Sequence, residues 1–171
     1  MFIKVLKEEY LNLFPEKNNL VFLRSLLCYK RVISFRAVVL IRCFLKTNSV
    51  RQQNRFKNKL LLRYGIEIGK GCRIGKDLRF EHINGIVIGR GSVIGDHCVM
   101  YQQVTIGQKD GKYPVIGNNA VLYPGCKIIG DIHIGDNAVI GANAVVLHDV
   151  PDGAVAAGVP ARIIKSTLSD S

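Results

Sequence analysis

An apolar residue recurs every six positions through most of the chain after residue 65, and this period limits the possible folds more than any other feature. The first run contains Ile68, Ile74 and Phe80, and the second begins at Ile88. A six-residue unit accommodates one short strand and one tight turn, and three units close a triangular coil of about 18 residues. Small or apolar residues four positions later would fill the corners: Cys72, Leu78, Ser92, Cys98, Val104, Ala120, Cys126, Ile132, Ala138 and Ala144. We therefore predict an all-β solenoid, a parallel β-helix of about four to five coils over residues 65–165.

The glycines divide the chain into two parts. All 17 lie at or after Gly65, where they suit the tight turns of the coils. The stretches "GKGCRIG" and "GRGSVIG" resemble phosphate-binding loops, but they recur in phase with the repeat, so we interpret them as turns. We predict a basic α-helical segment over residues 1–64, the β-helix over 65–165 and a flexible tail over 166–171.

The net charge of +11 comes from one segment. Residues 20–63 contain 11 Lys and Arg residues and no acidic residue, in a pattern typical of a helix that could be capped by Asn18 or Asn19. Four of these cations fall within an arc of about 60°: Arg24, Arg31, Arg42 and Lys46. We expect the opposite, apolar face to pack on the β-helix or on a partner subunit. Peripheral association with an anionic membrane surface is an alternative. Nucleic-acid binding is not expected, because the segment lacks a base-reading motif.

Other features favour a cytoplasmic protein. Five cysteines without a C-x-x-C pair do not suggest a disulfide framework. The N-terminal residues show no signal-peptide pattern, and the longest apolar run before residue 65 is residues 37–41. We expect the protein to be cytoplasmic, with a location at the inner face of the membrane as the alternative.

The six-residue rhythm breaks twice. Phe80 and Ile88 are eight residues apart, and Ile106 and Ile116 are ten apart. The first break contains Glu81 and His82, and the second contains a loop over residues 107–115 that must leave the coil. Insertions in a regular solenoid are common places for function.

Three stretches carry a resemblance to a known family. They are residues 67–82, the segment Gln103-Val-Thr-Ile-Gly107 with the loop up to Pro114, and "PDGAVAAGVPARIIK" at 151–165. Together they resemble the left-handed β-helix acyltransferases with hexapeptide repeats, and most of all the serine acetyltransferase branch with its colanic-acid and capsule-type polysaccharide relatives. The resemblance implies a left-handed β-helix, acetyl-CoA as co-substrate, and a homotrimer with active sites between protomers.

The resemblance also suggests catalytic residues. His82 stands at the position of the catalytic base, Glu67 at that of the aspartate that pairs with the base, and Glu81 at that of an acceptor-binding acid. A histidine could remove the proton from the acceptor hydroxyl as its oxygen attacks the thioester. The alternatives are that His82 is an ordinary turn residue and that Glu67 is a solvated edge residue.

Further positions follow from the same resemblance. Lys112 and Tyr113 replace an Arg-His pair of serine acetyltransferases, which makes them candidate acceptor-binding residues. The alternative is that the loop is flexible and has no role in binding. Gly107 would leave room for the pantetheine arm, with Gly125 and Ala142 lining the same groove. Arg162 would contact the phosphates of CoA or else form a structural pair.

Metal binding is not expected. The trimeric β-helix carbonic anhydrases bind zinc through three histidines, which prompts a check of His97, His133 and His148. A zinc site would need a closely spaced histidine pair plus a third ligand, and no two histidines here lie closer than 15 residues.

The substrate prediction combines the resemblance with the altered loop. We expect acetyl-CoA-dependent O-acetylation of a saccharide hydroxyl, as in surface polysaccharide, capsule or O-antigen synthesis, by direct transfer with His82 as base. Two alternatives are a serine O-acetyltransferase of cysteine synthesis and a non-catalytic trimeric scaffold.

Overall fold

The computed structural model describes the backbone of residues 29–165 and the side chains of residues 34–165. Two helices come first, α1 (Tyr29–Lys46) and α2 (Val50–Tyr64), and α2 ends at Gly65, whose left-handed conformation (φ 62°) closes the helix. The proposed cap at Asn18 or Asn19, Arg24, the side chain of Arg31 and the tail lie outside the described residues.

Fifteen short strands follow and form three sheets, one on each face of a triangular prism. Sheet A contains β1 (Ile66–Ile68), β4 (Ile86–Ile88), β7 (Thr105–Gly107), β10 (Lys127–Ile129) and β13 (Val145–Val146). Sheet B contains β2 (Arg73–Ile74), β5 (Val93–Ile94), β8 (Val115–Ile116) and β11 (His133–Ile134). Sheet C contains β3 (Arg79–Phe80), β6 (Val99–Met100), β9 (Val121–Leu122), β12 (Val139–Ile140), β14 (Val155–Gly158) and β15 (Ala161–Lys165).

The strands confirm the parallel β-helix. From β1 to β14, neighbouring strands of a sheet pair in parallel, and interior residues are in register from coil to coil, as Ile68 with Ile88 and Ile88 with Ile106. The side chains of these three isoleucines are fully buried. All ten residues of the small-residue series are buried as well, so the six-residue period does mark the interior of the prism.

A ladder of side-chain caps explains why glycine follows the isoleucines of sheet B. At the corner between sheets B and C, a carboxylate or amide oxygen accepts the backbone N–H of the equivalent residue one coil below, at 2.6 to 2.9 Å. The accepting residues are Asp96, Asn118, Asp136 and Asp152. A Cβ at Gly75 would lie 2.3 Å from the Asp96 oxygen, so only glycine leaves room for the cap.

The helices close the base of the prism. Helix α1 packs on β3 and α2 packs on β1, and their apolar side chains join the interior cluster of the coils. This arrangement covers the lowest strands, whose unpaired backbone groups would otherwise form open edges.

Arg42 corrects the expected orientation of α1. It is only 8% exposed, and its Nη1 donates a 2.6 Å hydrogen bond to the Ile74 carbonyl while its Nη2 donates to the Gly75 carbonyl. Every residue from Ala37 to Phe44 is buried, so Arg42 does not lie on a solvated cationic stripe. The physical reason is that β2 is the lowest strand of sheet B, and its carbonyl oxygens need donors that no strand below supplies.

The last strand reverses direction. β15 pairs with β14 in antiparallel orientation and has no equivalent in the coils below. Neither described helix is long and apolar enough to cross a membrane.

Candidate active site

The first break in the repeat places His82 at the corner between sheets C and A, directly after β3. The imidazole is exposed, and its ring centre lies 6.1 Å from that of Tyr101, with the two planes inclined at 52°. Tyr101 in turn stacks on Tyr123 at 5.1 Å with an interplanar angle of 9°. We call His82, Tyr101 and Tyr123 the aromatic column, because they rise along one corner over three consecutive coils.

Glu81 belongs to the same corner. Its backbone N–H donates to the Met100 carbonyl at 3.1 Å, which continues the pairing of β3 with β6 by one residue. Its side chain is exposed. The first break therefore presents one imidazole and one carboxylate to solvent, and a role of Glu81 in binding an acceptor stays a prediction.

Glu67 lies on β1 with an exposed side chain. It lines a cleft of about 500 Å³ between α2 and the lower coils. Among the described residues, no hydrogen bond or ion pair joins Glu67 to His82. The catalytic pairing of these two residues stays a prediction.

The second break forms a compact loop between β7 and β8. Lys109 and Lys112 exchange backbone hydrogen bonds at 3.1 and 3.0 Å, and the Gln108 side chain accepts the Gly111 N–H at 2.7 Å. The Lys112 ammonium donates to Asp131 at 2.6 Å, and this hydrogen bond raises the pKa of Lys112. Both side chains are well exposed, so the pair contributes little to stability.

Tyr113 turns back from the loop onto the coil below. Its ring lies over Gly89 and Gly91, where an added Cβ would come within 3.4 Å and 3.1 Å of the ring atoms. Gly89 also lines the cleft that contains Glu67. The structure therefore brings Tyr113 and Glu67 to neighbouring parts of one surface, whereas His82 and Glu81 lie at the other edge of sheet A.

The predicted CoA-binding residues fall into separate places within the chain. Gly125 and Ala142 lie at the corner between sheets C and A, on the coils above His82, and Gly125 needs its positive φ of 73° there. Gly107 ends β7 at the opposite edge of sheet A, roughly 13 Å away along the strand direction. Arg162 lies exposed on β15 and donates to the Ala161 carbonyl at 3.1 Å. Their shared role in binding CoA stays a prediction.

The cysteines are buried thiols. Burial raises the pKa of Cys126 to about 12 and those of Cys72 and Cys98 to about 11. A protonated, buried thiol is a poor nucleophile. These three side chains therefore act as packing groups, as their positions in the small-residue series predicted.

The histidines away from the first break do not form a metal cluster within the described residues. No group of three or more His, Cys, Asp or Glu side chains there could hold a metal ion. His97 instead lies 3.0 Å from the Asp77 carboxylate through Nδ1, at the corner of the cap ladder.

Sequence reasoning missed several residues of this region. Tyr101 and Tyr123 are in phase with Glu81 on later coils, so the strand register could have located them. Lys70 and Arg90 occupy equivalent turn positions beside Glu67 and were interpreted only as turn residues. Lys57 reaches the same cleft from α2, and no repeat pattern could have placed it there.

Comparison with known proteins finds similarity to hexapeptide-repeat transferases and to serine acetyltransferases. Residues 113–148 match the family described as bacterial transferase hexapeptide (six repeats). Over 104 residues, 58% of this chain, the protein is 42% identical to the serine acetyltransferase of Synechococcus elongatus. Over 105 residues, 59% of this chain, it is 43% identical to that of Staphylococcus aureus. The coil region of this chain is therefore similar to hexapeptide-repeat transferases and to serine acetyltransferases.

Solved structures similar to this chain include serine acetyltransferases. One in complex with cysteine superposes with a TM-score of 0.74 at 33% identity, covering 78% of this chain and 55% of that chain. One in complex with CoA has a TM-score of 0.69 at 37% identity, covering 76% of this chain and 56% of that one. The Neisseria gonorrhoeae enzyme has a TM-score of 0.77 at 26% identity, covering 98% of this chain and 66% of that one.

The match is partial in length. The chain spans 43% of the Synechococcus relative and 49% of the Staphylococcus relative.

These comparisons also correct the substrate prediction. The saccharide O-acetyltransferase prediction is wrong, because the similar proteins at 42–45% identity are serine acetyltransferases. The prediction gave too much weight to Lys112 and Tyr113, which are two residues of one exposed loop.

Proposed function

We propose that this chain is an acetyl-CoA-dependent O-acetyltransferase whose acceptor is the hydroxyl group of L-serine. The observation that carries the proposal is its 42–45% identity to serine acetyltransferases over about 105 residues. The aligned length amounts to most of the β-helix. The structure of a related enzyme in complex with CoA supports acetyl-CoA as the donor.

His82 is the base in this proposal. Imidazole is the side chain whose ordinary pKa lies closest to neutral pH, so it can both accept and release a proton. It takes the proton of the serine hydroxyl while the oxygen forms a bond to the acetyl carbonyl carbon. The carbon–sulfur bond then breaks, and the CoA sulfur leaves with the proton that His82 returns. Backbone N–H groups stabilise the oxyanion formed in between.

The transfer is direct in this mechanism. An acyl-enzyme would need an activated nucleophile near His82. The buried thiols of Cys72, Cys98 and Cys126 are kept protonated by burial and do not supply one.

Assembly completes the site. We place acetyl-CoA in a groove between two copies of a closed homotrimer, as is typical of hexapeptide-repeat proteins. Gly125 and Ala142 line this groove above His82, Gly107 faces it from the neighbouring copy, and Arg162 contacts the CoA phosphates. This arrangement explains why the predicted CoA residues lie at two different edges of a single chain.

The proposed setting is the cytoplasm, where acetyl-CoA is available and thiols stay reduced. The four cysteines among the described residues are free, which suits a reducing compartment.

The test is release of free CoA from acetyl-CoA in the presence of L-serine. We expect saturable turnover with serine, and a loss of roughly 10²- to 10⁴-fold in kcat for His82→Ala, the range for removing a general base. His148→Ala is the matched control, because this exposed histidine lies on a later coil outside the breaks. Wild-type protein that releases no CoA with serine would refute the proposal, and a His82→Ala variant with full activity would refute the assigned base.

A further inference from the structure

The excess positive charge of residues 34–165 lies at one end of the molecule. Residues 34–81, which contribute α1, α2 and the lowest coil, contain 12 Lys and Arg residues and three acidic residues. Residues 82–165, which form the higher coils, contain six of each kind. The higher coils are therefore neutral as a whole, whereas the base of the prism carries a net charge of +9 at pH 7.

The lowest coil carries cations at positions where the coil above carries valine. Arg73 pairs in register with Val93, and Arg79 pairs with Val99. Both arginine side chains are exposed. Charged side chains on edge strands discourage wrong strand pairing, but that function does not require an excess of one sign. The excess of positive charge indicates in addition an anionic partner at this end of the molecule.

Helix α2 presents a cationic surface on the side away from the coils. Its residue Leu60 is fully buried against the interior of the prism. On the opposite side, Arg51, Arg55 and Lys59 follow one another at four-residue intervals, within an arc of about 80°. All three side chains are exposed, and none of them forms an ion pair with another residue in the described part of the chain.

A leucine lies in the middle of this cationic surface. Leu62 is 83% exposed, and the helical period places it between Arg51 and Arg55 in projection. Val50 and Leu61 are also exposed, at 60% and 46%, on one flank of the same surface. We call Leu62 and the three cations the outer face of α2. Apolar side chains among cations are typical of helices that lie in the interface of a membrane.

Two other partners fit the outer face less well. Nucleic acid would attract the cations, but its phosphates offer no apolar surroundings for Leu62. The aromatic rings of α2, Phe56 and Tyr64, pack against the interior of the prism and are not placed to stack on bases. A second copy of this chain in a symmetric contact would bring the same cations face to face.

We propose that the outer face of α2 binds the surface of a membrane that contains anionic phospholipids. Its three cations lie among the lipid phosphates, and Leu62 inserts between the headgroups. Arg42 takes no part, because it is buried against the lowest coil. The contact is peripheral, and it does not depend on which acceptor the enzyme uses.

The experiment measures cosedimentation of the protein with vesicles of phosphatidylcholine that contain phosphatidylglycerol, and with vesicles of phosphatidylcholine alone. We expect binding to the anionic vesicles only, and weaker binding as the salt concentration rises. Arg51→Gln/Arg55→Gln should bind about 25-fold more weakly, since each cation near an anionic surface strengthens binding about fivefold. Leu62→Asn should bind about tenfold more weakly with an unchanged dependence on salt, because it loses buried apolar surface.

Control variants separate the outer face from net charge and from folding. Lys109→Gln/Lys165→Gln removes the same charge from exposed positions of the higher coils, and its binding should stay within about twofold of wild type. Arg51→Lys/Arg55→Lys keeps the charge of the outer face, and its binding should also stay within about twofold. Equal free energies of unfolding in urea would show that these exchanges leave the fold intact.

Four results would overturn the inference. Absence of binding to anionic vesicles would leave the outer face as a solvated surface, and equal losses in both glutamine double variants would assign binding to net charge alone. A DNA duplex bound more tightly than anionic vesicles, with the loss confined to Arg51→Gln/Arg55→Gln, would assign the face to nucleic acid. A lower oligomeric mass of that variant without vesicles would assign the face to a contact between copies. Vesicle binding is measured without turnover, so its result is independent of the proposed function.

Discussion

The two edges of sheet A are built from the same repeat, and yet they carry different chemistry. The edge shared with sheet C carries the aromatic column, in which the rings of His82, Tyr101 and Tyr123 pack in sequence. The edge shared with sheet B carries Lys70 and Arg90 beside the cleft. One edge carries an imidazole and two phenol rings, and the other carries two cations.

The difference shows two ways in which a regular solenoid can present the side chains of a functional site. Two extra residues between Phe80 and Ile88 are enough to present Glu81 and His82 at the first edge. The second edge keeps the six-residue repeat at Lys70 and Arg90 and departs from it only in a higher coil, in the loop between β7 and β8. Neither edge of a single chain carries both the imidazole and the cations.

The largest expected effect is complementation between two defective variants. His82→Ala lacks the proposed base, and Lys70→Gln/Arg90→Gln lacks two of the cations that line the cleft. In a closed trimer whose sites combine His82 of one copy with the cleft of the next, random mixing leaves about a quarter of the sites intact. Co-expression should therefore restore about a quarter of wild-type activity at low serine concentration. If both edges served the same chain, the mixture would show only the mean of the two variants.

The next effect concerns Arg42, which binds the backbone of the coil that carries Lys70. Arg42 holds the carbonyls of Ile74 and Gly75, which directly follow the turn that carries Lys70. Arg42→Leu should lower the free energy of unfolding by about 1–3 kcal/mol, because buried carbonyls lose their donors. Urea unfolding measures this loss, with the exposed Arg51→Leu as the matched control. Equal stability of the two variants would contradict the role of Arg42.

A smaller effect is expected at the aromatic column. Tyr101→Ala removes the ring that packs against His82 and should lower kcat about threefold to tenfold, since aromatic pairs contribute about 0.5–1.5 kcal/mol. Tyr101→Phe keeps the ring and should retain wild-type kcat. The pH profile of kcat distinguishes positioning of the imidazole from general destabilisation, because only the former shifts the profile. Equal kcat for Tyr101→Ala and Tyr101→Phe would show that the ring does not position His82.

The smallest effect is expected in the loop. Asp131→Asn removes the partner of Lys112 and the cause of its raised pKa. The pair is exposed, so the KM for L-serine should change by less than about threefold. A larger change would assign acceptor recognition to the loop, and steady-state kinetics at several salt concentrations would reveal it.

The sequence predicted the fold well because a six-residue period assigns every residue of a coil to the interior, a corner or the surface. The period alone assigns Ile88, Cys98 and Ile106 to the interior or a corner of the coil. The period also located His82, because a break in a regular pattern is as visible as the pattern itself.

Other parts could not be predicted in this way. A helical projection groups Arg42 with other cations but does not reveal which surface covers it. In the structure its guanidinium donates to carbonyl groups of the lowest coil. The cleft combines Lys57, Lys70 and Arg90, which are up to 33 residues apart, and only the packing of α2 on β1 brings them together. The acceptor was misjudged because it depends on a few side chains rather than on the repeat.

The closure of both ends of the spiral limits how copies of this chain can associate. A stack of parallel coils could in principle continue from one molecule into the next and grow into a fibre. Here α1 and α2 occupy one end, and β15 presents a strand of reversed direction at the other. Within the described residues, axial pairing from one copy to the next is therefore blocked at both ends, and any contact between copies would have to use the faces and edges of the prism.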